Sequence, residues 1–214
     1  MPIYKSYRPN SCTSIKVWKI SESYNELLSS IDLSKNTLEK LDKVQNDVRK
    51  REILSVRHLL KEFGFSDNDL YYDEAGKPML SNKQNISISH SKLFSSIIIS
   101  DFRISIDIEK VSDKLAKVSN KFIDYEYSFL GNINNESERL TFIWCIKECI
   151  YKISNEKLPF IFKNNCIVTP FNLQDSSVIS WLKFNRIILS FKSYLHSFED
   201  YKLVYLNQNK KWTA

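Results

Sequence analysis

The sequence predicts an α+β protein made of two α+β halves, and three observations lead to this prediction. Segments in which apolar and polar residues alternate, as they do in strands, come before, between and after stretches with helical spacing. Apolar residues make up 43% of the 214 residues and aromatic residues 13%, which is typical of a folded protein and argues against disorder. The order of strands and helices divides the chain into residues 1–102 and 103–214, expected to meet near a short acidic strand.

The first half is expected to have strands at both ends and helices between them. Residues 15–20 alternate like a strand, and residues 21–30 and 38–63 have helical spacing. The longer helix is expected to break near Asn46 and to end at Gly64, the usual residue just past a helix. The other expected elements are a turn containing Gly and Pro and two strands, at residues 73–78, 86–89 and 95–100.

The second half is expected to begin with the acidic strand and to end in a strand-rich meander. Residues 103–109 read as a strand, joined to the strand before it by a tight turn at residues 101–102. Two helices are expected next, at residues 118–130 and 137–153. Residues 165–205 then alternate in several short runs, which predicts a meander of strands.

The acidic strand and the last helix together predict a metal site. Side chains alternate along a strand, so Asp107 and Glu109 point from the same face, and Lys147, Glu148 and Lys152 share one helical face. If that helical face meets the strand, three carboxylates lie beside two lysines, a set that suits Mg²⁺ carrying phosphates. Each part also has an ordinary explanation: a solvated sheet face for the strand, and a surface salt bridge for Glu148 with Lys152.

Composition limits the class of protein and of partner. The formal net charge is +6 at pH 7, and the pI is near 9.0. These values favour an anionic partner: nucleic acid, a polyphosphate cofactor or an acidic protein. No stretch resembles a membrane span or a signal peptide, so no membrane association is expected. The four cysteines lack zinc-like spacing and are interpreted as reduced thiols of a cytoplasmic protein.

Four short motifs follow one another in an order that is specific. They are Gly76-Lys77-Pro78, Ile88-Ser89-His90-Ser91, Ile106-Asp107-Ile108-Glu109 and Trp144-x-x-Lys147-Glu148-x-x-x-Lys152. In this order and spacing they closely resemble those of the Sfp-type 4′-phosphopantetheinyl transferase superfamily. Residues 50–60 resemble that family's first helix and residues 121–126 the segment after its acidic strand, so the resemblance covers about residues 49–153.

The resemblance implies a reaction and an architecture. Members of this family transfer the phosphopantetheine arm of coenzyme A to a serine of an acyl or peptidyl carrier protein and release adenosine 3′,5′-bisphosphate. They are pseudo-dimers of two similar α/β halves, with coenzyme A in the cleft between the halves and Mg²⁺ on its pyrophosphate. The basic chain is expected to attract an acidic carrier protein rather than nucleic acid, and to act as a monomer.

Carried over residue by residue, the resemblance implies a role for each motif position. Asp107, Glu109 and Glu148 are expected to hold Mg²⁺, and Lys152 to bind the pyrophosphate with Lys147 nearby. The residues expected to contact the nucleotide phosphates are Lys77, Ser89 and His90. The 3′-phosphate is expected to meet Arg51, with its neighbours Arg49 and Lys50 as alternatives.

The resemblance also implies a role for Glu126, and the sequence departs from the family pattern at two places. Glu126 matches a glutamate proposed in the family as general base for the serine hydroxyl, acting directly or through a water; a solvated helix residue is the alternative. Ser105 stands where the family commonly has Gly, and a side chain as small as that of Ser is expected to be tolerated. Residues 153–160 replace a Gly-rich segment near the family's carrier-protein surface.

Two other classes of function also fit parts of the pattern. A metal-dependent nuclease would use a similar carboxylate set and suit the high pI, but its usual Glu-x-Lys is absent, since Lys110 directly follows Glu109. A non-catalytic binder of coenzyme A or carrier protein would not need all three carboxylates and Lys152, which are present.

Overall fold

The protein is described by a computed structural model that covers residues 3–131, 136–154 and 161–213, with only the backbone described for 208–213. It mixes helices with antiparallel sheets, so the predicted α+β class is confirmed. The chain divides into two compact units, Met1–Phe102 and Arg103–Ala214. Over the part of the chain that is described, no helix has the length and apolar character needed to cross a membrane.

The first unit contains a sheet in the order β1-β2-β6-β5, in which all neighbours are antiparallel. Its strands are β1 Ile3–Asn10, β2 Thr13–Lys19, β5 Asn85–Ser91 and β6 Phe94–Ser100. Both central strands are rich in buried apolar residues, and β6 is buried along its whole length. The hairpin between β5 and β6 turns at Lys92, which adopts a left-handed backbone conformation with φ of 52°.

The helices of this unit are α1 Tyr24–Ser29, α2 Lys35–Lys43 and α3 Asp47–Glu62. The break expected near Asn46 is present, because Asn46 caps α3 by accepting a hydrogen bond from the Arg49 backbone at 3.2 Å. Apolar residues of α3, including Leu54 and Leu59, are fully buried, and the helix packs on β2, β5 and β6. A small hairpin, β3 Leu70–Tyr72 with β4 Pro78–Leu80, encloses the predicted turn.

The second unit contains an antiparallel sheet in the order β7-β11-β10-β9-β8. Its strands are β7 Ile104–Lys110, β8 Cys166–Val168, β9 Ser177–Phe184, β10 Ile187–Phe198 and β11 Tyr201–Thr213. Its helices are α4 Lys114–Val118, α5 Tyr127–Leu130, α6 Ser137–Ser154 and α7 Phe162–Asn165. Helix α6 lies on β7 and β11, and its buried face, with Ile146 and Ile150, forms the centre of the core of this unit.

Two expectations about local structure are wrong, and three strands were not foreseen. β6 and β7 are not a hairpin, because β6 pairs with β2 and β5 whereas β7 pairs with β11. Residues 118–130 are not one helix but a 3-10 turn and a short α5. In that segment the Glu126 carboxylate accepts a hydrogen bond from the Asp124 backbone at 3.2 Å, which competes with helical hydrogen bonding. The unforeseen strands are β1, β3 and β4.

Candidate active site

Helix α6 carries charged residues on two different sides. Its sequence is strongly apolar, and the charged residues Lys147, Glu148 and Lys152 interrupt the apolar pattern in its last two turns. Lys152 lies in the last turn, where a cation interacts favourably with the helix dipole. Ser105 of β7 ties the strand to this helix, since its hydroxyl donates to the carbonyl oxygen of Cys149 at 2.8 Å. A small residue at position 105 therefore permits this close approach.

The predicted carboxylates of the second unit lie near one another. Lys152 Nζ donates to Asp107 Oδ1 at 2.6 Å and to the carbonyl oxygen of Ile106 at 3.0 Å. The pKa of the Glu148 carboxyl is raised to about 7, by burial first and then by the charge of Asp107; Glu109 adds to this rise, whereas Lys152 opposes it. Asp107, Glu109, Glu148 and Lys152 thus share one electrostatic environment.

The pKa of Lys152 shows how this environment acts on a cation. Burial lowers the pKa of the ammonium, but Asp107, together with smaller contributions that include Glu148, more than compensates, so the pKa is raised overall. Its side chain is 27% exposed, whereas that of Asp107 is 6% exposed. Lys152 is therefore a stably charged cation whose side chain is partly exposed.

The donor chemistry of these carboxylates suits a divalent cation. Hard carboxylate oxygens are the ligands that Mg²⁺ prefers, and a cation would offset the repulsion that, after burial, raises the pKa of Glu148. Among the residues with described side chains, no group of three or more His, Cys, Asp or Glu converges closely enough to hold a metal ion. In this arrangement the Lys152 ammonium supplies the positive charge beside Asp107.

Lys147 lies in different surroundings from Glu148 and Lys152. Lys147 Nζ is 2.9 Å from Glu126 Oε1, and both side chains are 0% exposed. The structure therefore does not bring Lys147 to the carboxylates of β7. For Glu126 the alternative of a solvated helix residue is wrong, because its side chain is fully buried.

In the first unit His90 lies in a charged cluster with two residues of α3. His90 Nδ1 is 3.1 Å from Arg49 Nη1 and 3.1 Å from Glu52 Oε2, and Arg49 Nη1 donates to Glu52 Oε2 at 3.1 Å. Burial raises the pKa of Glu52, but hydrogen bonds and charge from His90 and Arg49 lower it overall. Glu52 also accepts a hydrogen bond from the backbone of Lys92 at 3.1 Å, so it fixes the hairpin that carries His90.

The contacts of Arg49, Lys50 and Arg51, the three candidates for a 3′-phosphate contact, differ in the structure. Arg49 touches His90, whereas Arg51 Nε donates to Asp47 Oδ2 at 3.0 Å on the same helix. Lys50 lies over the ring of Tyr24 at 5.2 Å. Of the three, only Arg49 is brought to His90.

Ser89 and Lys77 occupy the other two predicted positions. Ser89 is a buried residue of β5, whose carbonyl oxygen accepts a hydrogen bond from Ser96 at 3.3 Å. Lys77 lies at the end of the turn before β4, and its backbone donates to Asp73 Oδ1 at 2.8 Å. Lys77 is half-buried and adjoins a Gly with φ of 79°, the left-handed conformation that this turn requires.

Sequence reasoning missed two charged residues, one in the His90 cluster and one across the sheet from Glu109. Glu52 organises the His90 cluster, but in the sequence it is one charged position on a long helix. Lys202 of β11 lies opposite Glu109 in the register of the sheet. Its almost fully buried Nζ donates to Ser197 Oγ at 3.0 Å and to the Glu138 carboxylate. A cross-strand neighbour is found only once the register is known, so no local signal marks Lys202.

Comparison with known proteins agrees with the resemblance of the motifs. Residues 103–205 match the model of the 4′-phosphopantetheinyl transferase superfamily. A 4′-phosphopantetheinyl transferase of Aneurinibacillus migulanus, gsp, is 28% identical over 106 residues, which are 47% of this chain and 45% of that protein. The matched stretch is thus less than half of the relative. The family prediction made from the motifs is confirmed.

Proposed function

Because the chain belongs to the 4′-phosphopantetheinyl transferase superfamily through its residues 103–205, we propose that it transfers the phosphopantetheine arm of coenzyme A to a serine hydroxyl of an acyl or peptidyl carrier protein. The leaving group is adenosine 3′,5′-bisphosphate, the product of a holo-carrier-protein synthase. The observation that carries the proposal is the group formed by Asp107, Glu148 and Lys152 inside the matched segment. These residues provide acidic ligands and a charged lysine side by side, as transfer from a pyrophosphate requires.

In this proposal the second unit carries the chemistry. Asp107, Glu109 and Glu148 would hold Mg²⁺, which would offset the negative charge that develops on the phosphate oxygens during transfer. Lys152 is charged and partly exposed beside them, so its ammonium is suited to the pyrophosphate and the departing bisphosphate. Glu148 is the catalytic carboxylate on the same helical face as Lys152.

The first unit is proposed to bind the nucleotide phosphates. Arg49 and His90 lie together and provide donors for an anion, so Arg49 replaces Arg51 as the favoured contact of the 3′-phosphate. Lys77 and Ser89 keep the supporting roles that the resemblance implies. Binding of coenzyme A in a cleft between the two halves stays a prediction.

The partners and the location follow from charge and from the cysteines. A net charge of +6 favours an acidic carrier protein, and the same charge suits coenzyme A with its phosphates. All four cysteines are free thiols, which agrees with the cytoplasm as the proposed location. A monomer is proposed to be sufficient, with no nucleic acid or membrane as partner.

Intact-protein mass spectrometry of an apo carrier protein incubated with this protein, coenzyme A and Mg²⁺ tests the proposal. A gain of one phosphopantetheine, lost with EDTA, is the expected result. Coenzyme A binding without transfer to several acyl and peptidyl carriers would indicate a non-catalytic binder. Absence of coenzyme A binding, together with cleavage of nucleic acid, would replace the proposal by a metal-dependent nuclease.

A further inference from the structure

The ion pair of Glu126 and Lys147 has no access to solvent, and it joins four separate segments of the second unit. Lys147 is a residue of α6, whereas Glu126 directly precedes α5. Neither side chain has any exposed surface. A group that exchanges a proton with a carrier-protein serine must come within hydrogen-bond reach of it or of a bridging water. Glu126 has no exposed atom through which either contact is made.

Hydrogen bonds within the protein occupy both charged groups. Glu126 Oε1 lies 2.9 Å from Lys147 Nζ and accepts from the Val168 backbone of β8 at 2.9 Å. Glu126 Oε2 accepts from the Asp124 backbone at 3.2 Å. The remaining contacts of Lys147 Nζ are the carbonyl oxygens of Phe122 at 2.6 Å and Phe162 at 3.4 Å. An ammonium has three protons to donate, and three acceptors surround this one.

These contacts hold α6 on a different side from the one that contacts β7. Lys147 and Glu148 are adjacent in the sequence and therefore point about 100° apart around the helix axis. Lys147 is held by the loop at residues 122–126 and by Phe162 of α7, whereas Lys152 is held by β7 through Asp107. A helix held at two points of its circumference is not free to rotate, so the direction of Glu148 is set.

We propose that Glu126 and Lys147 are positioning residues for the proposed transferase, and that their ion pair holds α6 so that Glu148 and Lys152 face β7. This inference rests on the proposed function, since it names what supports the residues of that site. It assigns Glu126 a role that needs its negative charge and its burial but no proton transfer. The same contacts place α7 and β8 against the loop at residues 122–126.

The charge of each partner alone is unfavourable in this environment. Both side chains have no exposed surface, so water cannot solvate the charge that remains when its partner is removed. Breaking a buried pair by removal of one partner leaves a charge without compensation, whereas removal of both leaves neutral groups. The two single variants and the double variant therefore respond differently if the pair acts as a unit.

The test compares Glu126→Gln, Lys147→Met and the double variant, each measured for thermal unfolding and for carrier-protein modification over a range of pH. Each single change is expected to lower the Tm by on the order of 10 °C and to reduce transfer. The double variant is expected to recover at least half of both losses, with a pH profile parallel to that of the unchanged protein. Glu136→Gln is the matched control, since Glu136 forms a partly exposed pair with Arg139 at 3.3 Å beside the same helix.

If Glu126 were a general base, the variants would respond differently. In that case Glu126→Gln keeps the Tm of the unchanged protein but loses transfer by about 100-fold or more, and the double variant loses as much. That result would overturn the proposal. If the unchanged protein transfers nothing, the proposed function fails, and recovery of the Tm in the double variant still decides whether the pair acts as a unit. A double variant no more stable than either single variant would also overturn it.

Discussion

Two lysines of the same helix, Lys147 and Lys152, each lie within 3 Å of a carboxylate oxygen, yet their surroundings differ. Lys147 pairs with Glu126 at 2.9 Å in a fully buried position. Lys152 pairs with Asp107 at 2.6 Å and keeps about a quarter of its side chain exposed. Solvent access therefore distinguishes two ion pairs that have similar distances, and the function of each pair has to be inferred from its exposure as well as its geometry.

The two pKa shifts have opposite directions because different effects dominate. Burial dominates at Lys147 and lowers its pKa, although Glu126 opposes the change. At Lys152 burial acts in the same direction, but Asp107 and Glu148 together more than offset it and raise the pKa. Lys152 thus lies in a surplus of negative charge, which is the environment a divalent cation or a phosphate-binding site requires, whereas Lys147 lies in a balanced pair.

The largest effect is expected from Asp107→Asn, which removes the ion pair between Asp107 and Lys152. Loss of the charge removes a proposed metal ligand and the partner of Lys152, so transfer to a carrier protein should fall by roughly 100- to 1,000-fold. The far-UV circular dichroism spectrum should stay unchanged. Mass spectrometry of the carrier protein measures the loss.

Asp200→Asn is the matched control for this change. Asp200 is exposed and pairs with Lys110 at 2.7 Å at the end of the same strand region. Its removal should leave transfer within about twofold of the unchanged protein, because surface ion pairs contribute little. Transfer by Asp107→Asn at the unchanged rate with Mg²⁺ limiting would contradict the metal assignment.

The next largest effect is a contrast in stability between Lys147→Met and Lys152→Met. Lys147→Met leaves a buried carboxylate without its counter-charge and should cost about 3–5 kcal/mol of unfolding free energy. Lys152→Met removes a cation whose own side chain is 27% exposed, so the cost should be smaller, about 1–2 kcal/mol. Urea unfolding at pH 7.5 without Mg²⁺ measures both. Equal costs for the two variants would remove the distinction drawn between the pairs.

A pH dependence in the stability of the metal-free protein is expected from Glu148. Its carboxyl has a pKa of about 7 in the folded state, above its ordinary value of 4.5. Between these values the folded state retains a proton that the unfolded state has released, so the free energy of unfolding falls as the pH rises through this range. Glu148→Gln should abolish this slope and be more stable than the unchanged protein above pH 7, by on the order of 2 kcal/mol.

Urea unfolding in EDTA at several pH values between 4.5 and 8 checks this prediction. The unchanged protein and Glu148→Gln should be closest in stability at the acidic end, where the carboxyl is protonated in both states. If Glu148→Gln were less stable than the unchanged protein at pH 8, burial and the like charges of β7 would not raise the pKa of Glu148 as described.

The acidic strand and the charged helix were predictable from sequence because both depend on local periodicity. Alternation places Asp107 and Glu109 on one face of β7, and the i, i+4 spacing joins Glu148 to Lys152. Periodicity also placed Lys147 on the helical face of Glu148 and Lys152. That face was defined too broadly, because adjacent helix residues such as Lys147 and Glu148 point about 100° apart. The burial of Lys147 depends on the loop at residues 122–126 and on α7, and the positions of these two segments could not be predicted from the sequence.

Pairing between distant segments was the part of the fold that sequence reasoning missed. The strands β6 and β7 are separated by three residues and look like a hairpin, but each finds partners elsewhere in the chain. β1 was not foreseen because all of its residues are half-buried or exposed and show no clear alternation. The broken helix at residues 118–130 has a related cause, since the Glu126 side chain bonds to the Asp124 backbone and to β8.

The smallest expected effect extends the same comparison to the first unit, where Arg49 and Arg51 both lie on α3 but only Arg49 contacts His90. Arg49→Gln should weaken coenzyme A binding about tenfold, the size of one charged hydrogen bond, while Arg51→Gln should change it less than twofold. Calorimetry with coenzyme A and with dephospho-coenzyme A measures both, because the second ligand lacks the 3′-phosphate. Arg49→Gln should lose most of its preference between the two ligands, whereas Arg51→Gln keeps it. If Arg51→Gln instead lost that preference, the helix would present its other face to the phosphate, and the contact with His90 would be unrelated to binding.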